Sequence, residues 1–318
     1  MKRLNILFIF LYCISCTIYS QSTEEREKKI IIRNNIKTKI QWDFSFDKAI
    51  QSEQGKKISV TTYSKSGDIM EENTLDNKGQ VIGWEKYQYN DKGDRMFYER
   101  VNGVNKYNKT FQYDARNNVV QESGFNGAEN FKNNITYDPK GKPVQIIYSI
   151  NDHLDEKRLY EYIGTVSIIS IYKIGNVLSS KLKLVYDEKG NIIEETMYSM
   201  DNKELEKKIL SYDNASRQIA EEKIKGGIFF YKLTNTYNFK GDILTVSEEN
   251  TTDKKFVKKS YDYDVNENLI EYKWRRNPND EFNVKTYTYD SKGMCQTEHT
   301  YYPATKFELL TKYEYEFY

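Results

Sequence analysis

Tyr186-Asp187-Glu188-Lys189-Gly190-Asn191 is the stretch that decides the fold, because the chain repeats it. Tyr89-Asn90-Asp91-Lys92-Gly93-Asp94, Tyr137-Asp138-Pro139-Lys140-Gly141-Lys142, Tyr237-Asn238-Phe239-Lys240-Gly241-Asp242 and Tyr289-Asp290-Ser291-Lys292-Gly293 are further copies. Aligned on the tyrosine, eleven anchors stand 24 to 26 residues apart: Tyr63, Tyr89, Tyr113, Tyr137, Tyr162, Tyr186, Tyr212, Tyr237, Tyr263, Tyr289 and Tyr315. A fixed period of this length marks a tandem array in which each unit buries its surface against the next. The chemistry of the copy is that of a tight reversal. Asp or Asn after the tyrosine can accept a bond from its own backbone two residues on, and the glycine three residues later suits a left-handed position in a short hairpin loop. Asn117 takes the glycine's place in one copy and tolerates that region. Ser216 and Glu267 take it in two others, where the turn is expected to be strained or of another type.

Around the turn the pattern has period two. A second aromatic often precedes the anchor by two residues (Tyr87, Phe111, Tyr160, Tyr261, Tyr287, Tyr313), which puts both rings on one face of a strand. An apolar residue three positions past the glycine (Met70, Met96, Val120, Ile193, Leu244) marks the outgoing strand. About twelve residues from each turn comes a looser one, such as Asn102-Gly103, Gly226-Gly227 or Asn277-Pro278. Each unit therefore reads as two strands of about ten residues and two reversals.

Tyr-Asp, two variable residues, glycine and then a strand, recurring over residues 55–318, resembles the YD repeat of RHS-type proteins. In the clearest copies Asn, Asp or Lys follows the glycine, where that family usually has arginine. The resemblance implies a β-shell and a role in enclosing another polypeptide, here as a short free-standing array without the RHS core motif or a toxin domain.

The residues themselves predict an all-β protein: tandem β-hairpins of about 25 residues forming a long curled antiparallel sheet, a spiral shell or an incomplete barrel. An open twisted sheet rarely passes about ten strands without curling, and some twenty are expected here. Exposed edges would remain at both ends of such an array. Residues 21–54 read as an N-terminal capping segment. In it Ile36, Ile40, Trp42, Phe44 and Phe46 alternate with polar residues as one more amphipathic strand. Ser22-Thr23-Glu24-Glu25 permits a short helix start, and the β-branched run Ile30-Ile31-Ile32 argues against a long helix.

Residues 1–20 read as a signal peptide: Lys2 and Arg3, then a mostly apolar run from Leu4 to Ile18, then Ser20 before Gln21. The expected location is the periplasm or the extracellular space. The alternative is a lipoprotein anchored through Cys16. No comparable apolar run follows, so no membrane anchor and no transmembrane segment is expected in the mature chain. Cys295 is then the one remaining thiol, and no internal disulfide is expected.

The 48 basic and 47 acidic side chains nearly cancel, which argues against a nucleic-acid partner. His153 and His299 are the only histidines, and neither has metal-ligand spacing. Asp262, Asp264, Asn266 and Asn268 imitate a calcium loop, but Glu267 occupies the glycine position and Lys273 that of the bidentate glutamate. No cofactor or metal is expected. Glu194 and Glu195 could imitate a glycosidase pair, the basis of an outside reading as a secreted glycoside-active enzyme, but they fit better as strand residues, and no enzyme is expected. The 28 tyrosines are the surface with promise, since rows of rings can stack on sugars or anchor a protein. The expected function is a non-catalytic scaffold of the cell envelope binding a polysaccharide or an envelope protein, with Trp84, Trp274, Tyr87, Tyr89, Tyr287 and Tyr289 as contact residues.

Overall fold

A computed structural model describes residues 25–318. The readings of the leader, its cleavage point and Cys16 lie outside the described residues, as does the start of the 21–54 segment. A helix, α1 (25–33), leads into 23 strands. They are β1 (Ile36–Asp47), β2 (Ile50–Gln51), β3 (Lys56–Tyr63), β4 (Ile69–Leu75), β5 (Val81–Tyr89), β6 (Arg95–Asn102), β7 (Asn105–Tyr113) and β8 (Val119–Phe125). Then come β9 (Asn130–Tyr137), β10 (Pro143–Ile150), β11 (His153–Ile163), β12 (Val166–Lys173), β13 (Val177–Tyr186), β14 (Ile192–Ser199), β15 (Glu204–Tyr212) and β16 (Gln218–Lys225). The last are β17 (Ile228–Tyr237), β18 (Ile243–Asn250), β19 (Phe256–Tyr263), β20 (Leu269–Trp274), β21 (Asn283–Tyr289), β22 (Cys295–Tyr302) and β23 (Phe307–Phe317).

From β3 to β23 each strand pairs antiparallel with the next, the all-β hairpin array that the period implies. The ends do not stay open. β1 pairs antiparallel with β3 on one side (Ile40 opposite Val60) and with β23 on the other (Ile40 opposite Glu314). The wall is therefore a closed barrel of 22 strands, with β2 a short appendage of β1. The curled all-β antiparallel sheet is the one expected, and closure corrects only the expectation of exposed edges at its two ends. Unpaired N–H and C=O groups on β3 and β23 would invite pairing with other chains, and β1, with the same alternation as the repeats, satisfies both rows. Strands lie about 4.8 Å apart and tilt by about 40° in barrels. Twenty-two of them make a wall about 140 Å around, or about 45 Å across if circular.

The wall is a single layer. Extensive contact between strands is confined to hydrogen-bonded neighbours. The accessible surface, 20180 Å², is well above the roughly 14,000 Å² of a compact chain of this length. The densest apolar packing is local: Ile169, Ile171, Leu182, Leu184, Ile192 and Leu210 across β12–β15, with Tyr160, Tyr186, Met197 and Tyr212 around them.

The apolar residue past each glycine turns out to be more than the start of a strand. Tyr63 pairs with Ile69 while Thr62 pairs with Glu71, so Met70 is the extra residue of a β-bulge. Met96, Val120, Ile193 and Leu244 occupy the same place in their copies. A bulge bends its strand and increases the twist, so a bulge recurring at this rim helps to curl the sheet towards closure.

Helix α1 takes in Ile30-Ile31-Ile32 and ends at residue 33. Tertiary packing overrides the weak propensity penalty: Ile31 is buried with Ile36, Tyr63 and Met294, and Ile30, Ile69 and Tyr315 pack beside it. The helix lies on the rim that carries the tyrosine turns. Arg26 bonds the Glu267 carbonyl and carboxylate, Lys28 pairs with Asp68 and Arg33 bonds the Lys292 carbonyl.

Candidate functional site: the tyrosine face of the wall

The repeated turn works as its residues require. In eight copies the residue after the tyrosine accepts two backbone amides, from two and four residues on, and in a ninth Ser64 accepts that of Asp68. For Asp187 these come from Lys189 (2.9 Å) and Asn191 (2.8 Å). The Asn191 side chain adds a third bond and, with the amides, holds the Asp187 carboxyl below the usual range. The glycines sit left-handed, as at Gly190 (φ 84°). Asn117 (φ 68°), Ser216 (φ 60°) and Glu267 (φ 68°) occupy the same region and keep the same backbone bonds. All three turns are thus of one type with the rest, and the strain falls on Ser216 and Glu267. Each of the three substitutes also makes a side-chain bond that glycine cannot. Asn117 donates to Asp94, Ser216 accepts from Asn191, and Glu267 accepts from Arg26 and pairs with Lys240.

The anchor tyrosine has a role that the sequence did not disclose. Its hydroxyl donates to a backbone carbonyl in the preceding unit, two residues past that unit's glycine position. The pairs are Tyr89 to Ile69, Tyr113 to Arg95, Tyr137 to Val119, Tyr162 to Pro143, Tyr212 to Ile192, Tyr237 to Gln218, Tyr263 to Ile243, Tyr289 to Leu269 and Tyr315 to Cys295, at 2.7–3.1 Å. Each carbonyl lies two residues beyond the last backbone pair of its junction, as Ile192 lies beyond Glu194 opposite Ile209. The ring thus clasps one hairpin to the next where the ladder has stopped. Tyr186 is the exception. The turn before it is the two-residue Gly164-Thr165 reversal without a bulge, the ladder continues, and the Tyr186 amide itself donates to the Thr165 carbonyl. Across the seam the Tyr318 hydroxyl donates to the Tyr63 carbonyl. Burial pushes the Tyr162 and Tyr212 phenols each up to about 12.

Cross-strand register sorts the wall into two faces. The tyrosine face also carries acid–base pairs at mid-strand: Lys109 with Glu122, Glu156 with Arg158 and Lys173, Glu195 with Lys208, Glu206 with Lys223, and Glu298 with Lys285. Most of the buried residues lie on this face, including Glu122, Glu156, Lys208, Glu221 and Lys223. The opposite face is charged as well, with Glu71 and Lys86, Lys183 and Lys207 around Glu194, Glu222 and Lys232, and Glu271 and Lys273. Neither face carries the continuous apolar band that a lipid-facing barrel wall requires. Among the described residues no helix is long and apolar enough to cross a membrane.

The contact residues read from the sequence do not converge. Trp84 lies on the face opposite the tyrosines, under Lys86 at 4.8 Å. Trp274 lies on the tyrosine face. It stacks on Tyr272 (4.9 Å, 12°), which stacks on Tyr261 (5.0 Å), and meets Tyr302 edge-on (5.7 Å, 87°). Tyr302 in turn meets Phe307. One ligand on one face cannot contact both tryptophans. Tyr87 bonds Glu85 and packs on Tyr98, while the hydroxyls of Tyr89 and Tyr289 are committed to clasps. Tyr287, beside Tyr289 on that face, is raised well above the ordinary phenol range by burial. The strip Tyr261–Tyr272–Trp274–Tyr302–Phe307 is the aromatic surface that sequence reading half found. Trp274 signalled it, but Tyr302 and Phe307 join it only through the register of β20–β23.

The other candidates resolve into structure. Asp264 spends its oxygens on the amides of Asn266 and Asn268 and on the Asn268 side chain. Among the described residues no group of three His, Cys, Asp or Glu is placed to hold a metal. Glu194 and Glu195, adjacent on β14, point to opposite faces and pair with different lysines. Cys295 is half-buried, and burial pushes its thiol up to about 11, away from the thiolate that reactivity needs.

No protein-family model matches the chain, and no curated protein does. Among solved structures it is similar to the crystal structure of TcdB2-TccC3-Cdc42 (8% identity over 82% of this chain and 18% of that one, TM-score 0.24). It is also similar to porin-like proteins from Bacteroides uniformis ATCC 8492 (11% identity, 89% of this chain and 98% of that one, TM-score 0.33) and Bacteroides vulgatus ATCC 8482 (11%, 86% and 97%, TM-score 0.26). The chain spans less than a fifth of the first of these.

Proposed function

We propose that this is an exported, non-catalytic shell of the YD-repeat kind that holds a polypeptide inside a closed β-barrel. The observation that carries the reading is the seam: β1 is hydrogen-bonded to both β3 and β23, so the array encloses a space instead of presenting a flat sheet. On a closed wall the side chains of the inner face converge. The tyrosine face holds most of the buried residues and is accordingly assigned to the inside. Its chemistry suits a passenger chain. Phenols offer apolar area with a polar tip, and the paired charges spare it a sticky dry surface. Charges at mid-strand on both faces also speak against a wall in contact with lipid. A second reading, a polysaccharide held on the aromatic strip around Trp274, is favoured by the run of half-buried and exposed rings from Tyr272 and Trp274 to Tyr302 and Phe307, since aromatic rings offer flat apolar faces with polar tips.

The test is protease protection. Protein isolated from its native envelope is digested intact and, in parallel, with the seam opened by removal of residues 25–47. A passenger polypeptide that survives only in the intact barrel supports the shell. Absence of any protected polypeptide, together with saturable quenching of tryptophan fluorescence by an envelope glycan that Trp274→Ala abolishes, would replace it with the second reading.

A further inference from the structure

The rim opposite the tyrosine turns has a different surface. Eleven reversals form it, counting the β1–β3 connection. In seven of them exposed apolar residues stand at or beside the tip. Six are marked by Ile50, Ile82, Val104, Ile174, Met200 and Ile228, whose exposure runs from 50% at Ile82 to 99% at Val104. The seventh, between β22 and β23, presents Phe307 at 49%. Single exposed aliphatics are ordinary, whereas a contiguous run is a mark of interaction, and here the seven fall into two runs, one of four reversals from β22–β23 round to β6–β7 and one of three from β12–β13 to β16–β17. The tyrosine rim offers only a few such positions, chiefly Phe239, Val265 and Ile163, and α1 covers part of it.

We infer that this apolar rim is the interface for a second copy of the chain, the two barrels meeting mouth to mouth about a two-fold axis. Two observations choose this occupant. The first is area. A wall about 140 Å around and about 10 Å thick gives about 1,400 Å² per copy, and the seven apolar reversals span about 900 Å² of it. A stable interface needs about 800 Å² per partner. The second is charge. Lysines and arginines nearly balance aspartates and glutamates in the eleven connections, so two copies of the rim do not repel. A two-fold contact asks a surface to be complementary to itself, and a neutral rim with two arcs of aliphatic tips meets that demand. The inference stands apart from the shell reading. Should both hold, the lumen doubles in length and one mouth of each barrel is closed by the other.

The experiment is sedimentation equilibrium of the mature chain over a wide concentration range. It is repeated with Val104→Asp/Ile228→Asp on this rim and Phe239→Asp on the other, with circular dichroism to confirm equal folding. The expected result is a concentration-dependent species of twice the monomer mass. The rim pair should weaken it by about 100-fold or more and Phe239→Asp should leave it unchanged. A wild-type chain that stays monomeric at every concentration overturns the inference without any variant. So does a dimer that survives the rim charges in a folded protein. A monomer that binds vesicles of phosphatidylglycerol and phosphatidylcholine, and loses that binding with the rim pair, assigns the rim to a lipid surface instead.

Discussion

At the tyrosine rim nine turns share one geometry, each held by an Asp, Asn or Ser side chain and a left-handed residue, and nine tyrosine hydroxyls clasp neighbouring units. At the opposite rim the connections run from the two-residue Gly103-Val104 reversal to the long 275–282 loop. No ladder of clasps ties them, and their tips are often apolar. The difference separates two duties of a repeat. One rim carries the bonds that fix register and curvature, so its residues recur. The other repeats that turn at Asp76–Gly79 and carries bulges of its own, but no ladder of tyrosine clasps, so its residues vary more and can be spent on contact with something else.

The largest effect should come from the seam that both rims share. Removing residues 25–47 leaves β3 and β23 with unpaired edges, and exposed edges of long strands aggregate. Size-exclusion chromatography should show loss of the discrete species, and a fluorescent amyloid dye should bind. A truncated chain that stays discrete would mean that β1 is dispensable.

Next comes the turn. A β-branched side chain at Gly190 (φ 84°) meets the left-handed penalty, about 1–2 kcal/mol or more, so Gly190→Val should lower the denaturation midpoint clearly. Ser216→Gly tests the reverse. It relieves the strain at φ 60° but gives up the Asn191 bond, so a gain of at most about 1 kcal/mol is expected.

The clasps carry an internal control. Tyr212→Phe deletes a 2.9 Å bond to the Ile192 carbonyl and should cost about 0.5–1.5 kcal/mol by urea denaturation. Tyr186→Phe, where the ladder replaces the clasp, should cost measurably less. Equal losses at the two positions would show that packing, not the hydroxyl, is what matters.

The smallest effect is the pH dependence of α1. Burial alone would raise the Asp68 carboxyl, but bonds from Lys28 and Ser66 outweigh it and hold it below its ordinary 3.8. Glu267, bonded by Lys240 and Arg26, is held below 4.5. Groups with lowered values stabilise the docked helix above the ordinary carboxylate range, and that contribution fades as pH falls through the lowered values. Limited proteolysis should therefore cut near α1 faster at about pH 3 than at neutrality while the strands persist. The effect should shrink in high salt, since these pairs are largely exposed.

Much of this was legible because it is local. The spacing of Tyr186, Asp187 and Gly190 encodes a turn whose bonds span only a few residues. Period two around Tyr87 and Tyr89 likewise encodes a face, and Trp84, three residues from Tyr87, is placed on the other face by the same rule. What stayed hidden depends on partners far away in the chain. The role of Met70 as a bulge residue emerges only when β3 is laid against β4. The use of the Tyr212 hydroxyl depends on where the β14–β15 ladder stops. Closure joins residues 36–45 to 309–317, and the alternation of Ile36 to Phe46 reads the same for a strand at an edge as for one at a seam. The aromatic strip around Trp274 likewise needed the register of four strands.

Closure itself can be tested at one residue, because Ile40 stands opposite both Val60 and Glu314. Antiparallel partners lie within disulfide reach. In a Cys295→Ser background, Ile40→Cys/Val60→Cys and Ile40→Cys/Glu314→Cys are oxidised separately and read by intact mass and non-reducing electrophoresis. The account requires an intramolecular cross-link in both variants. A link to position 60 alone, with position 314 left as a free thiol or found only between chains, would mean an open sheet and contradict it.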